Sequence, residues 1–279
     1  EIVFAHTRWL SGSDININSF GFGQQISPND YLGVYFMAFD MGDIVRTTID
    51  QPDGGLGTFS PTFMNLGVTY AHGFLDGRIN VGFTVKFLIE SVPDASVSGL
   101  ALDAGIQYAS EDGKFRLGTV LRNIGPELQF SGEGLSTRAS LGGEASTFDN
   151  VLYTNSEDFQ LPSVFLIGMS YDLHVGPVEQ RKIDNREVPM HRITPMLSFH
   201  SNTFAEDQYG IGAEYSFRDY FMVRAAYQFE SNQFDRNETR NVFTGFSGGM
   251  TVEMPFNKKG TTIGVDYSFR STYFFDGVH

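Results

Sequence analysis

The segment Gly245-Phe246-Ser247-Gly248-Gly249 spells G-x-S-x-G, the turn that exposes a serine nucleophile in many hydrolases. That chemistry needs a strand running into a sharp turn and then a helix, whereas Met250-Thr251-Val252-Glu253-Met254 carries on an alternating β pattern. Glycines that let a strand curve account for the segment better. The six histidines, His6, His72, His174, His191, His200 and His279, show no H-E-x-x-H or comparable metal-ligand spacing. A lipid-modifying enzyme would need a Ser or Asp and a His to converge from separate elements, which spacing alone does not exclude. The stretch Asp53-Gly54-Gly55-Leu56-Gly57 has neither a lysine nor a following helix, so it reads as a loop and not a phosphate cradle. With no cysteine in the chain, disulfides, thiolate zinc sites and cysteine nucleophiles are excluded, and no cofactor is expected.

The elements that would position such groups are strands. From Arg78 to Glu90 the apolar residues Ile79, Val81, Phe83, Val85, Phe87 and Ile89 alternate with Arg78, Asn80, Gly82, Thr84 and Lys86. A strand of a soluble protein runs about five or six residues, and a tilted strand crossing hydrocarbon needs roughly nine to eleven. The composition, rich in Gly (31), Phe (27) and Tyr (12), is that of a β protein. Mean hydropathy of -0.16 and the lack of any long apolar run exclude helical spans but not a barrel, whose strands are apolar only at alternate positions. Period-two segments recur at about 2–9, 14–25, 31–40, 60–72, 78–90, 97–109, 114–122, 163–173, 192–200, 207–217, 220–230, 241–254 and 261–270, with no convincing helix.

The expected fold is therefore an all-β transmembrane antiparallel barrel, a single domain over 1–279, with thirteen strands visible and a fourteenth expected. Short connections at Ser27 to Asp30, Phe74 to Gly77, Ser110 to Gly113, Arg218-Asp219 and Pro255 to Gly260 share one end, as periplasmic turns do. Long connections at 41–59 and 123–162, with a moderate one at 231–240, fall at the other. The charged connection 174–191 breaks this alternation and reads as a periplasmic extension or a misread strand pair. Ser271 to His279 reads as the last outer loop, with the closing strand after His279 or too poorly alternating to recognise. The chain starts at Glu1 without a signal peptide, so a leader has been removed or the sequence begins inside a longer protein. Tyr31, Tyr35, Tyr70, Tyr108, Tyr171, Tyr209, Tyr215, Tyr227 and Tyr267 lie in or near strand ends, where rings can sit at the headgroup level.

Asp103 and Arg122, inside strands, read as lumen-facing polar residues. A net charge of -14 argues against nucleic acid. The outer connection 123–162 mixes glycine, serine and acidic residues with Leu128, Phe130, Phe148, Val151, Leu152, Tyr153 and Phe159. Apolar groups on an outer loop either fold over the barrel mouth or dock a partner protein. Leu128, Phe130, Phe148, Leu152, Tyr153 and Phe159 are the candidate partner-binding residues.

Six segments are similar to the PorV/PorQ group, outer-membrane barrels of the type IX secretion system. They are Thr7-Arg8-Trp9-Leu10, Met41-Gly42-Asp43-Ile44, Ala101-Leu102-Asp103-Ala104-Gly105, Leu121-Arg122-Asn123-Ile124-Gly125-Pro126, Arg192-Ile193-Thr194-Pro195-Met196 and Met222-Val223-Arg224-Ala225-Ala226-Tyr227. Two family features, an upstream Asn-Pro-Ala motif and a strand after the Val-His pair, are absent here. The resemblance implies a FadL-like barrel of fourteen strands in the bacterial outer membrane, with lipid around it. It also implies a non-enzymatic shuttle that takes cargo by its C-terminal signal domain at the SprA translocon and passes it to the surface attachment complex. The alternative is a FadL-like transporter of hydrophobic small molecules, which needs an apolar lumen pocket and a lateral wall opening.

Overall fold

The computed structural model describes the whole chain except residues 11, 142–147, 154, 181–186, 232–241, 257–260 and 274–276. In chain order the strands are β1 (Ile2–Trp9), β2 (Ile15–Gln25), β3 (Asp30–Asp40), β4 (Ile44–Val45), β5 (Thr58–Phe59), β6 (Thr62–Phe74), β7 (Ile79–Val92), β8 (Ala95–Ala109) and β9 (Phe115–Ile124). A single 3-10 turn, Glu133–Leu135, precedes β10 (Ser136–Leu141) and β11 (Phe148–Tyr153). The remainder are β12 (Val164–Tyr171), β13 (Leu173–Gln180), β14 (Glu187–Asn202), β15 (Gln208–Phe217), β16 (Phe221–Glu230), β17 (Phe243–Pro255) and β18 (Thr262–Thr272).

One antiparallel 14-stranded sheet takes the order β1-β2-β3-β6-β7-β8-β9-β12-β14-β15-β16-β17-β18, with β13 paired to β14. Only Asp172 separates β12 from β13, and both pair with β14, so the two form one bent stave. That leaves thirteen staves. The place of a fourteenth is taken at the outer end by the last residues of the chain: Val278 bridges Arg270 of β18, and His279 exchanges backbone hydrogen bonds of 2.9 and 3.3 Å with Arg8 of β1. The sheet thus meets itself across Val278 and His279, and the fold is a barrel. The sequence expectation put 271–279 wholly in a loop; its last two residues belong to the wall instead.

The wall is inside-out relative to a soluble protein. Among the described residues only Val97, Ala101, Leu128, Leu161, Val188 and Val278 are buried hydrophobics, whereas Leu66, Val68, Phe83, Val85, Leu100 and Ile106 stand exposed on the outer face. In water such a belt would be an aggregation surface, but in a bilayer it is the lipid contact of a transmembrane barrel. Strands of 14 and 15 residues in β7 and β8 exceed the roughly nine to eleven needed to cross. Closing the ring satisfies the backbone groups that an open edge would expose to lipid.

Three connections contain strands of their own. In the charged segment 174–191, the described residues 174–180 and 187–191 form the arms of the β13–β14 pair, which runs past the last β14–β15 rung, His191 with Phe217, at the short-turn end; this fits the expected periplasmic extension built as a strand pair. Within 41–59 lies the small β4–β5 pair, and within 123–162 the β10–β11 hairpin. Most of the 231–240 connection lies outside the described residues. At the short-turn end, Arg218 and Asp219 both have positive φ, 52 and 51°, and Tyr220 N–H bonds Phe217 C=O at 3.0 Å. This two-residue turn twists in the sense of the strands it joins.

Candidate functional site

Register fixes which side chains enter the barrel. Counting from the outward Leu66, Phe87 and Leu100 rung, the inner face carries Gly82, Thr84, Lys86, Leu88 and Glu90 from β7 and Val97, Gly99, Ala101, Asp103, Gly105 and Gln107 from β8. Across the lumen, Gly168 pairs with Ser198, Ser198 with Gly210, and Gly212 with Ala226. These small residues leave space. A cavity of about 550 Å³ is lined by Gln107, Gly118, Gly168, Ser198, Gly212 and Met196 among others. A second, of about 670 Å³, lies against β7, β8 and β9 and is lined by Thr84, Asp103, Gly105 and Arg122. Asn80, Gln107, Gly118, Gly168, Ser198 and His200 line both, so the two are one continuous interior space. Each volume falls within the range of small-molecule sites, about 300–1,000 Å³.

Neighbouring side chains lie close over some of the inner-wall glycines. A Cβ on Gly210 would lie 2.3 Å from Ser198 Oγ, and one on Gly67 would lie 2.0 Å from the ring of Tyr35. Tyr35 therefore lies flat on the inner wall and is not one of the rings at the headgroup level. Gly245, with φ +94°, sits where the β17–β18 register shifts between Phe243 and Ser247. The G-x-S-x-G segment is thus a bulged strand with no nucleophile elbow.

Most charges inside the barrel are paired, in two networks. Toward the short-turn end, Arg116 meets Asp172 at 2.7 Å, and Arg192 meets Asp172, Glu214 and Asp219 at 3.5, 3.1 and 3.0 Å. Arg224 extends the chain to Glu214 at 2.7 Å and Asp266 at 3.7 Å, while Thr194 and Thr251 add hydroxyl contacts. Toward the outer end, Lys86 meets Asp103 at 2.6 Å and also bonds Asn123 Oδ1, with Arg122 3.5 Å from the same carboxylate. The Asn123 N–H donates to Asp103 at 2.8 Å, and its amide donates to Pro162 C=O at 2.9 Å. Asp103 and Arg122 face the lumen as their place in the alternation implied. The network on β12 to β18 has the same period-two signature, although the sequence reading did not single it out.

Of the candidate partner-binding residues, Leu128, Phe130 and Phe159 come together. Leu128 is 6 % exposed and packs with Val97, Ala101 and Leu161, with Leu88, Phe130 and Phe159 against that cluster. The Phe130 and Phe159 rings stack at 5.5 Å, and Leu128 and Phe159 exchange backbone hydrogen bonds. Since Val97, Ala101 and Leu88 point inward, this strap lies against the inner wall at the outer mouth. Phe148, Leu152 and Tyr153 belong to β11, opposite Leu141, Thr137 and Ser136, and their side chains lie outside the described residues.

The nearest approach to a hydrolase constellation is on the outer surface near the short turns. Ser27 Oγ bonds Asp30, whose other oxygen takes His72 Nδ1 at 2.7 Å and Tyr70 O–H at 2.6 Å. The carboxylate stands between the hydroxyl and the imidazole, so Ser27 has no base to take its proton. Among the described residues no cluster of three His, Asp or Glu side chains is arranged to hold a metal ion.

Neither a known family model nor a curated protein matches the sequence. Among solved structures the chain is similar to the CymD monoaromatic hydrocarbon channel, with 11% identity, a TM-score of 0.48, and coverage of 97% of this chain and 82% of that one.

Proposed function

We propose that this protein is a bacterial outer-membrane barrel that binds small, partly apolar molecules in its lumen and conducts them across the membrane. The observation behind this reading is the continuous interior space floored by Gly118, Gly168, Gly210 and Gly212, between the two ion networks. No catalytic step belongs to it; the wall supplies shape, and the networks hold the staves that shape it. Gly168→Met tests it, because a Cβ there meets only Leu197 C=O at 3.7 Å and the longer side chain projects into the space the two cavities share, where a ligand would sit. Mass spectrometry of the barrel purified from native outer membranes is expected to find co-purifying small molecules, and the variant is expected to lose them. Equal recovery from both proteins would refute the reading.

A second reading keeps the secretion role that the PorV/PorQ resemblance implies. Its support is that two of the resembling segments, Ala101 to Gly105 and Leu121 to Pro126, meet in the Lys86–Asp103–Asn123 knot at the base of the 123–162 connection. A knot there would hold that connection ready for a SprA-type translocon, cargo C-terminal domains or the attachment complex. Pull-down from native membranes is expected to recover such a partner, and deletion of residues 128–160 to release it while the barrel stays folded. Retained secretion in the deletion would place recognition elsewhere.

A further inference from the structure

We infer that the lumen site selects uncharged molecules that carry a hydrogen-bonding group on an apolar body, such as alkyl amides and alcohols, over the matching carboxylates. The inference rests on the lumen-binding reading and concerns which chemistry that lumen accepts.

The argument is an accounting of polar groups around the 550 Å³ cavity. Its one guanidinium, Arg116, is held by Asp172 at 2.7 Å, and that carboxylate is in turn shared with Arg192 and Thr194. Gln228 already donates to Gln208 and accepts from Arg270 at 2.8 Å. Arg270, nearby, lies 3.7 Å over the Phe243 ring. At the outer end, Lys86 and Arg122 share Asp103 at 2.6 and 3.5 Å, so each of these cations already stands against a carboxylate. An anionic ligand entering this space would have to break an existing pair, losing one charge-assisted contact to gain another.

Among the polar groups that line this cavity and point into it, those without a partner are neutral. Gln107, Ser198 and Ser247 line the cavity, and their side chains make no protein hydrogen bond. A carboxamide offers both the donor and the acceptor of a ligand hydroxyl or amide, and the two hydroxyls can play either part. Met196 with Gly168, Gly210, Gly212 and Ala226 supplies an apolar, adaptable floor for the body of the ligand. A buried neutral group lined by neutral partners is recognised without displacing charge, which is where specificity against the ionised analogue arises.

The test compares tritiated decanamide with tritiated decanoate, binding to the whole chain in nanodiscs above pH 7, with empty nanodiscs subtracted. Decanamide is expected to bind at least about tenfold more tightly than decanoate, and Gln107→Leu with Ser198→Ala to weaken it by about tenfold. Arg218→Gln, in the β15–β16 turn and lining neither cavity, is expected to leave both values unchanged. Tighter binding of decanoate, abolished by Arg122→Gln, would overturn the preference for neutral ligands and leave lumen binding intact. Saturable decanamide binding that survives Gly168→Met would place the ligand outside the lumen and overturn both. Absence of saturable binding by either probe would overturn both as well, and this comparison on the unaltered chain needs no variant to fold.

Discussion

Lys86, at 3 % exposure, is the one buried cation among the described residues, and its position beside the half-open Val85 shows how sharply the wall divides. Its partner Asp103 also holds Arg122 and the Asn123 N–H, so the two ends of the pair are not equivalent. Asp103→Ala leaves a buried ammonium uncompensated and is expected to cost about 3–5 kcal/mol. Lys86→Met keeps the volume and leaves Asp103 with two partners, so it is expected to stay within about 1–2 kcal/mol of the parent. Urea unfolding in lipid vesicles checks the order; equal losses would show that the knot is held by shape and not by charge. In the turn before β9, Asp112 accepts from Ser110 Oγ at 2.5 Å and Lys114 N–H at 3.1 Å, and these bonds hold its carboxyl below the ordinary 3.8. The folded form therefore favours the ionised group, and its contribution is full above the ordinary carboxylate pKa. That contribution fades as pH falls through the lowered one. The small stability difference between the parent and Asp112→Asn, measured as Tm, is expected at pH 7 and should close as the pH falls through the lowered carboxyl pKa. A difference that grows on acidification would contradict this.

At the scale of elements, alternation was enough to read the wall. Ile79 to Ile89 on β7 and Leu100 to Tyr108 on β8 keep strict period two because one face meets lipid and the other the lumen. Where that contrast fails, alternation marks no strand, and the 174–191 stretch is legible only as a charged extension or strand pair. β13 stands beyond the rest of the sheet, exposed on nearly all its residues, and Gly176-Pro177 interrupts its register between Val175 and Val178. Its residues had no two-faced environment to record. β10 and β11 are short and lie within a polar connection, and Val278-His279 are too few to show a period. The cavity was invisible for a related reason: it arises from glycines on β9, β12 and β15 that only the register brings together. Asp103 and Arg122 were legible as lumen residues, but the partner of each was not. The strap gives a prediction at this scale. A side chain on Gly99 would place its Cβ 2.3 Å from Leu128 Cδ2, so Gly99→Leu is expected to push Leu128 off the inner wall at a cost of about 1–3 kcal/mol. Faster proteolysis within 123–162 would report it; unchanged protection would mean that the strap is anchored by Asn123 and the Leu128–Phe159 bridge alone.

For the whole molecule, the fold works by turning its hydrophobic surface outward and its charges inward. Adjacent residues of one strand test this directly. A cation is native at position 86, whereas Val85→Arg, near the middle of β7 on the lipid face, is expected to cost about 2–4 kcal/mol in a bilayer. A neutral outcome for Val85→Arg would deny that this face meets hydrocarbon. The same inversion leaves an interior with paired charges and unpaired amide and hydroxyl groups, and the account of function depends on something occupying it. The most direct measurement is anomalous diffraction from crystals of the whole chain soaked with 10-bromodecanamide. The account predicts a bromine peak inside the barrel, among Gly118, Gly168, Ser198 and Gly212. Bromine found only along the outward belt of Leu66, Phe83 and Leu100, with the interior empty, would contradict it.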